Sequence, residues 1–189
     1  MTKSVLLVGV GGQGTILTSK ILSAGLVSMG FDVKMSEIHG MAQRGGSVTT
    51  QIKYGDKVYS PSIGRGEADA IVAFEKVEAI RWLPYLKQAG TLIVNDHEIY
   101  PLPVLIEKEK YPSGALDALK SKVENLKVVA ASHIAADLGN VRAQNIVLLG
   151  VLVNALGLRD LDWVRLVKEH VPPRLQDLNV KAIEAGLSL

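Results

Sequence analysis

The chain of 189 residues contains no cysteine, so it forms no disulfide and holds no iron–sulfur cluster through thiolates of its own. Aromatic residues make up only 5% of the sequence, which predicts an aliphatic core. Long apolar runs are missing too. The longest runs from Ile146 to Leu152, interrupted only by Gly150, and even with its continuation to Leu156 it is shorter than the ~20 residues that a membrane-spanning helix needs. We therefore expect no association with a membrane.

Neither sign of charge dominates, since 21 basic and 19 acidic residues give a formal net charge of +2. Lysine and arginine are spread along the chain, whereas nucleic-acid binding favours a clustered basic face, so no nucleic-acid partner is expected. The four histidines lack the short spacing of zinc ligands, and no metal site is expected. The chain opens with a strand pattern rather than a signal peptide, which predicts a cytoplasmic protein.

Apolar runs alternate with helical patterns along the first two thirds of the chain. The runs Val5–Val8, Ala70–Phe74, Thr91–Val94 and Leu126–Ala130 are typical of parallel strands covered on both faces. Helical patterns separate them and dominate from about residue 133. The sequence thus predicts a single α/β domain over residues 1–189, with a Rossmann-like, mainly parallel sheet flanked by helices and a helical carboxyl-terminal part.

An antiparallel hairpin is expected at one edge of this sheet. Asp32–Ser36 has a strand pattern, and residues 48–54 alternate between apolar and polar, as in a strand with one wet face. Gly55 and Asp56 suit a two-residue turn, which would lead into a further strand at Lys57–Tyr59.

The first of two glycine-rich loops, residues 9–14, lies between a strand pattern and a helix pattern that starts near Thr15. Backbone amides that open a helix favour an anion, most often a phosphate. The loop has the spacing G-x-G-x-x-G, and Glu37 follows where a dinucleotide site would place a ribose-binding acid. A dinucleotide, another phosphate-bearing ligand and a plain structural turn all fit. The candidate binding residues are Gly11, Gly12, Gln13, Gly14 and Thr15.

The second glycine-rich loop joins the next two strands and carries an arginine beside two glycines. A guanidinium next to a flexible backbone suits a phosphate or a carboxylate, either on a ligand or on a partner subunit. Both loops follow strands that end at the same edge of the predicted sheet, where α/β proteins bind ligands. The candidate partner- or ligand-contacting residues are His39, Gln43, Arg44, Gly45, Gly46 and Ser47.

Three stretches are distinctive when taken together: VGVGGQG at residues 8–14, SEIHGMAQRGGSV at 36–48 and AQNIVLLG at 143–150. They resemble the gamma-subunit family of 2-oxoacid:ferredoxin oxidoreductases over nearly the whole chain. Within that family the set is most similar to the small (beta) subunits of indolepyruvate:ferredoxin oxidoreductases. The resemblance implies oxidative decarboxylation of a 2-oxoacid, indolepyruvate or another aryl-pyruvate, to an acyl-coenzyme A with reduction of ferredoxin.

The same resemblance implies a division of labour between subunits. The chain has no cysteine for clusters and no Gly-Asp-Gly motif followed by an asparagine for thiamine diphosphate. Thiamine diphosphate, magnesium and iron–sulfur clusters are thus expected on a larger (alpha) partner subunit, and ferredoxin on the complex. No catalytic residue is expected on this chain, which would be inactive alone but could line the path of coenzyme A. An autonomous NAD(P)- or FAD-binding protein and a non-catalytic scaffold subunit are the alternatives.

Overall fold

The computed structural model describes residues 2–39 and 46–189. Within these residues the strands are β1 (Lys3–Val10), β2 (Asp32–His39), β3 (Ser47–Gly55), β4 (Ala68–Ala73), β5 (Leu86–Asn95) and β6 (Asn125–Val129). The helices are α1 (Thr15–Ser28), α2 (Lys76–Trp82), α3 (Leu102–Leu105), α4 (Ala115–Lys120), α5 (Ala131–Asp137), α6 (Gln144–Ala155), α7 (Trp163–His170) and α8 (Gln176–Leu187).

The strands form one sheet in the order β2-β3-β1-β4-β5-β6. Strands β1, β4, β5 and β6 run parallel to one another, while β3 is antiparallel to both β1 and β2. Helices α1 and α5–α8 cover one face, and α2 and α4 cover the other. The predicted α/β class, with a mainly parallel sheet and an antiparallel hairpin, is confirmed.

The members of the hairpin differ from the prediction. Strand β2 pairs with β3 from Asp32 opposite Gly55 to His39 opposite Val48, and residues 57–59 form no strand. Because β3 is hydrogen-bonded to β2 on one side and to β1 on the other, no edge of it is free for a third strand. The predicted strand at Lys57–Tyr59 was therefore wrong, and the Val58 amide instead donates to the Asp32 carboxylate at 2.8 Å.

The position of β3 also bears on the ribose-binding role that the sequence suggests for Glu37. In a dinucleotide-binding sheet the second strand lies directly beside the first, so that its terminal acid can reach a ribose. Here β3 lies between β1 and β2, which places Glu37 two strand spacings, about 10 Å, from β1. The sheet order therefore gives no support to the alternative of an autonomous dinucleotide-binding protein.

Over residues 146–153 helix α6 is apolar on all sides, and it lies inside the molecule, between the sheet and α8. Such a helix has no wet face, and each large apolar side chain that it buries stabilises the fold by about 1.5–3 kcal/mol. No helix within the described ranges is long and apolar enough to cross a bilayer. The fully buried apolar residues of α6 are Ile146, Val147, Leu148, Leu149, Val151, Leu152 and Val153.

Two glycines let α6 and α8 cross with their backbones in contact. A Cβ atom built on Gly186 of α8 would lie 2.1 Å from the Val147 carbonyl oxygen of α6. One built on Gly150 would lie 2.7 Å from the Gly186 carbonyl carbon. Since the obstructing atoms belong to the main chain, a side chain at either position would require the helices to separate.

Gly186→Ala should therefore destabilise the fold, although alanine is the better helix former by ~1 kcal/mol. We expect a loss of at least about 2 kcal/mol in the free energy of unfolding, because the clash with the Val147 carbonyl cannot relax through a side chain. Urea denaturation of the full chain measures this loss. Glu184→Ala, at an exposed position of the same helix, is the control and should change stability little. Equal stability of the Gly186→Ala variant and the native chain would contradict close backbone packing.

Candidate functional site

The first glycine-rich loop turns from β1 into α1 against the start of α6. Gly14 is the N-cap of α1, with a φ of 85°, and its carbonyl accepts a hydrogen bond from the Asn145 side-chain amide at 3.3 Å. The Thr18 hydroxyl donates to the same carbonyl at 3.2 Å. A Cβ atom on Gly14 would lie 2.6 Å from the Asn145 Nδ2 atom. Both the left-handed backbone and this close approach require glycine at position 14.

Gln13 braces the loop from inside. Its Oε1 accepts from the Val10 amide at 2.8 Å, and its Nε2 donates to the Phe74 carbonyl at the end of β4, also at 2.8 Å. The side chain is 6% exposed, and it is not among the residues that line the neighbouring cavity. The binding role predicted for Gln13 stays a prediction, and in this structure both ends of its amide are engaged in holding the turn.

A buried amide network continues from this brace across the carboxyl edge of the sheet. The Phe74 carbonyl also accepts from Asn95 Nδ2 at 3.2 Å, and the same nitrogen donates to Gln144 Oε1 at 2.9 Å. The Ser132 hydroxyl donates to Gln144 Oε1 at 2.6 Å. Asn95 is fully buried, so its hydrogen-bonding groups depend on these partners. Sequence reasoning missed this role of Asn95, although a polar residue ending an apolar strand was a visible signal.

The second glycine-rich loop contacts the first at Gly46. The Gly11 amide donates to the Gly46 carbonyl at 2.9 Å, so the two loops lie at the same edge of the sheet as predicted. His39 ends β2 and Ser47 begins β3 beside them. The predicted contact residues Gln43, Arg44 and Gly45 lie outside the described residues.

Ser47 is fixed by a buried carboxylate on α2. Its hydroxyl donates to Glu78 Oε2 at 2.6 Å, and Arg81 pairs with Glu78 Oε1 at 2.7 Å. Glu78 is only 3% exposed. Burial raises the pKa of the Glu78 carboxyl above its ordinary value of 4.5, which the hydrogen bond from Ser47 and the charge of Arg81 oppose only in part. The hydrogen bond between Ser47 and Glu78 thus holds the end of the second loop against helix α2.

A cavity of about 390 Å³ opens where the first loop, the start of α1 and the ends of β2 and β3 meet. Thr15 at the start of α1 and Glu37 and His39 at the end of β2 are among its lining residues. The Ser19 hydroxyl lies 3.5 Å from Glu37 Oε1. The lining residues are Gly11, Gly12, Gly14, Thr15, Ile16, Glu37, Ile38, His39, Val48, Thr49 and Thr50.

The arrangement is suited to binding an anionic group. The first amides of a helix have no partner inside the helix, and the residues at the start of α1, Gly14, Thr15 and Ile16, line this cavity, where the positive end of the helix dipole lies. Among the described residues, no group of three histidine, aspartate or glutamate side chains could hold a metal ion. The structure thus brings together Gly11, Gly12, Gly14, Thr15 and His39 around the cavity, and places Gly46 and Ser47 at its neighbouring loop.

The raised pKa of Glu78 predicts how stability depends on pH. Because folding raises this pKa, the contribution of Glu78 to stability is fully present below about 4.5 and is lost as the pH rises through the folded value. Glu78→Gln removes the titration. The native chain should therefore lose stability relative to the variant as the pH is raised from the acid side of 4.5 towards neutrality, as measured by urea denaturation. Glu184→Gln is the exposed control, and parallel curves for Glu78→Gln and the native chain would contradict the assignment.

Comparison with known proteins places the chain among oxidoreductase subunits. Residues 4–189 match the family described as pyruvate ferredoxin/flavodoxin oxidoreductase. The indolepyruvate oxidoreductase subunit IorB of Pyrococcus horikoshii is 37% identical, covering 97% of this chain and 94% of that protein. The pyruvate/ketoisovalerate oxidoreductases common subunit gamma of Thermococcus kodakarensis is 28% identical, covering 95% of this chain and 92% of that protein.

Solved structures share the fold. Pyruvate oxidoreductase subunit PORC of Thermotoga maritima has a TM-score of 0.75 at 20% identity and covers 99% of this chain and 96% of its own. The 2-oxoglutarate:ferredoxin oxidoreductase of Magnetococcus marinus has a TM-score of 0.75 at 16% identity and covers 99% of this chain, which spans 30% of that longer chain. The match over nearly all residues confirms the resemblance predicted from the three sequence stretches: the chain belongs to the pyruvate ferredoxin/flavodoxin oxidoreductase family.

Proposed function

We propose that this chain is the small subunit of an indolepyruvate:ferredoxin oxidoreductase that acts in the cytoplasm. The observation that carries the proposal is the 37% identity, over nearly the full length of both proteins, to a subunit named for indolepyruvate. The relative named for pyruvate and ketoisovalerate is less similar, at 28%. In the proposed enzyme a 2-oxoacid is decarboxylated oxidatively, its electrons pass to ferredoxin, and an acyl-coenzyme A is released.

The partner in this proposal is a larger subunit that holds thiamine diphosphate, magnesium and the iron–sulfur clusters. The sequence supports this division, because a chain without cysteine offers no thiolate to a cluster. The long Magnetococcus marinus chain supports it as well, since in that oxidoreductase the same fold is joined to further polypeptide. Thiamine diphosphate would supply the decarboxylation chemistry on the partner, while this chain would bind and orient a reactant.

The ligand that we assign to the cavity is coenzyme A. Its phosphates would lie against the amides at the start of α1, where the helix dipole and the Thr15 hydroxyl favour negative charge. Helix α1 is fixed there by the Asn145 amide on the Gly14 carbonyl and by the Gln13 brace. A binding surface held by buried hydrogen bonds is pre-organised, so less ordering is required when the ligand enters.

The first test compares 2-oxoacids on the reconstituted enzyme. This chain and the large subunit, purified together, should reduce ferredoxin or a viologen dye with kcat/KM for indolepyruvate and other aryl-pyruvates about tenfold or more above that for pyruvate. The chain alone should show no turnover. An enzyme that preferred pyruvate or 2-oxoglutarate would contradict the assignment of substrate, and turnover by the isolated chain would contradict the assignment as a subunit.

The second test concerns coenzyme A and uses Thr15→Val, which removes a hydroxyl and nearly preserves shape. In the assembled enzyme this variant should raise the KM for coenzyme A about three- to tenfold, because one hydrogen bond to the ligand is lost, and leave the KM for the 2-oxoacid unchanged. Thr91→Val, on β5 about 13 Å before the carboxyl edge, is the matched control. An unchanged KM for coenzyme A in a normally assembled enzyme would favour the alternative of a scaffold subunit.

A further inference from the structure

The segment from Tyr100 to Ile106, which follows β5 and includes α3, exposes several large apolar side chains. Leu102 is 67% exposed and Leu105 is 63% exposed, while Tyr100 and Ile106 are 49% and 50% exposed. Within the described residues, neither of the two apolar cores includes any of these four side chains. Apolar groups exposed together on a folded protein mark a site of interaction with another protein or with a membrane. We call residues 100–106 the apolar segment.

Prolines and backbone hydrogen bonds hold the apolar segment in one shape. Pro101 and Pro103 fix their own φ angles. The Pro101 carbonyl accepts from the amides of Val104 and Leu105 at 2.9 and 3.1 Å, which closes a helical turn. A surface that is ordered before it binds loses less conformational entropy on docking. The apolar segment is therefore suited to docking as a preformed surface.

The buried carboxylate of Glu75 fixes the chain on both sides of the apolar segment. Its Oε1 accepts from the Ile99 amide at 3.5 Å and from the Tyr111 hydroxyl. Burial and the hydrogen bond to Glu75 raise the pKa of the Tyr111 hydroxyl above its ordinary value of 10.0, so this hydroxyl remains a donor. The Oε2 atom accepts from the Val77 amide at 2.7 Å and caps α2. Because Glu75 directly follows Phe74 at the end of β4, both ends of the apolar segment are held at the carboxyl edge of the sheet.

The charges beside the apolar segment favour a protein partner over a membrane. Residues 107–110 read Glu-Lys-Glu-Lys and are all exposed, so this stretch has no net charge. A surface that binds anionic lipids has an excess of lysine and arginine. An apolar centre beside a polar rim of mixed charge is instead typical of a protein–protein interface.

The position of the apolar segment indicates which protein covers it. The two glycine-rich loops and the cavity also lie at the carboxyl edge of the sheet. Under the proposed function, the larger subunit has to approach this edge, because it holds the cofactors that act on the bound reactant. A second copy of this chain docked on the apolar segment would obstruct that approach. The larger subunit is therefore the partner that the location favours.

We propose that the apolar segment is a docking surface for the larger oxidoreductase subunit, with Leu102 and Leu105 at the centre of the interface. This inference rests on the proposed function and adds to it the surface through which the two subunits join. Glu75 holds this surface beside the network around Phe74. Docking there would thus set the position of the larger subunit relative to the glycine-rich loops.

The test measures the Kd between the full chain and the purified larger subunit by isothermal titration calorimetry. Leu102→Ser combined with Leu105→Ser should raise the Kd about tenfold or more, because two apolar side chains are no longer removed from water on binding. Val27→Ser combined with Met29→Ser is the matched control. These residues are also apolar and exposed, but they lie at the end of α1, at the opposite edge of the sheet, and their replacement should leave the Kd unchanged. Thermal melting of each isolated variant checks that it is folded.

The outcomes separate this inference from the proposed function. An unchanged Kd in the leucine double variant overturns the inference, while the proposed function stands because the subunits still assemble. An equal rise in the control variant also overturns it. So does a dimer of the isolated native chain that the leucine substitutions convert to a monomer in sedimentation, or binding of the native chain alone to phosphatidylserine vesicles that these substitutions abolish. If the native chain does not bind the larger subunit, the proposed function fails and this inference fails with it.

Discussion

The carbonyl of Phe74, at the end of β4, is the acceptor on which the geometry of the site depends. It receives one hydrogen bond from Gln13 in the first loop and another from Asn95 at the end of β5. Asn95 in turn reaches Gln144 at the start of α6. A buried polar group left without its partner costs about 1–3 kcal/mol, so removal of one amide would strain the whole chain of contacts. The loop, two strands and the central helix are thus fixed relative to one another.

This network works only because α6 lies deep inside the molecule. The close crossing at Gly186 brings α8 over α6, and the buried helix then presents Gln144 to the sheet and Asn145 to the Gly14 carbonyl. Through Asn145, the helical carboxyl-terminal part therefore contacts the first glycine-rich loop directly. They fix the carbonyl of its N-cap residue and, through it, the direction in which the first amides of α1 point. A change in the packing of α8 against α6 would therefore also change the position of the first amides of α1.

The sequence predicted the architecture better than the partners of individual side chains. Apolar runs located the parallel strands, and the rule that loops gather at the carboxyl edge anticipated the contact between Gly11 and Gly46. Alternation alone does not show that β3 has a neighbour on each side, and for this reason the sequence predicts a strand at Lys57–Tyr59 that does not form. The binding role of Gln13 stays a prediction, and its hydrogen bond to the Phe74 carbonyl could not be predicted, because this long-range partner is set by the fold and leaves no local pattern.

The composition and the buried network are consistent with the binding role proposed for this chain. Rigid amides at the start of a helix stabilise a negative group without moving, which provides affinity and orientation. Transfer of electrons needs redox centres, and a chain without cysteine cannot ligate a cluster through thiolates. In the enzyme proposed above, this chain would hold one reactant in place for cofactors bound by the partner subunit. The buried network around Phe74 supplies rigidity for such a role, because Gln13 and Asn95 already use both ends of their side-chain amides in hydrogen bonds within the fold.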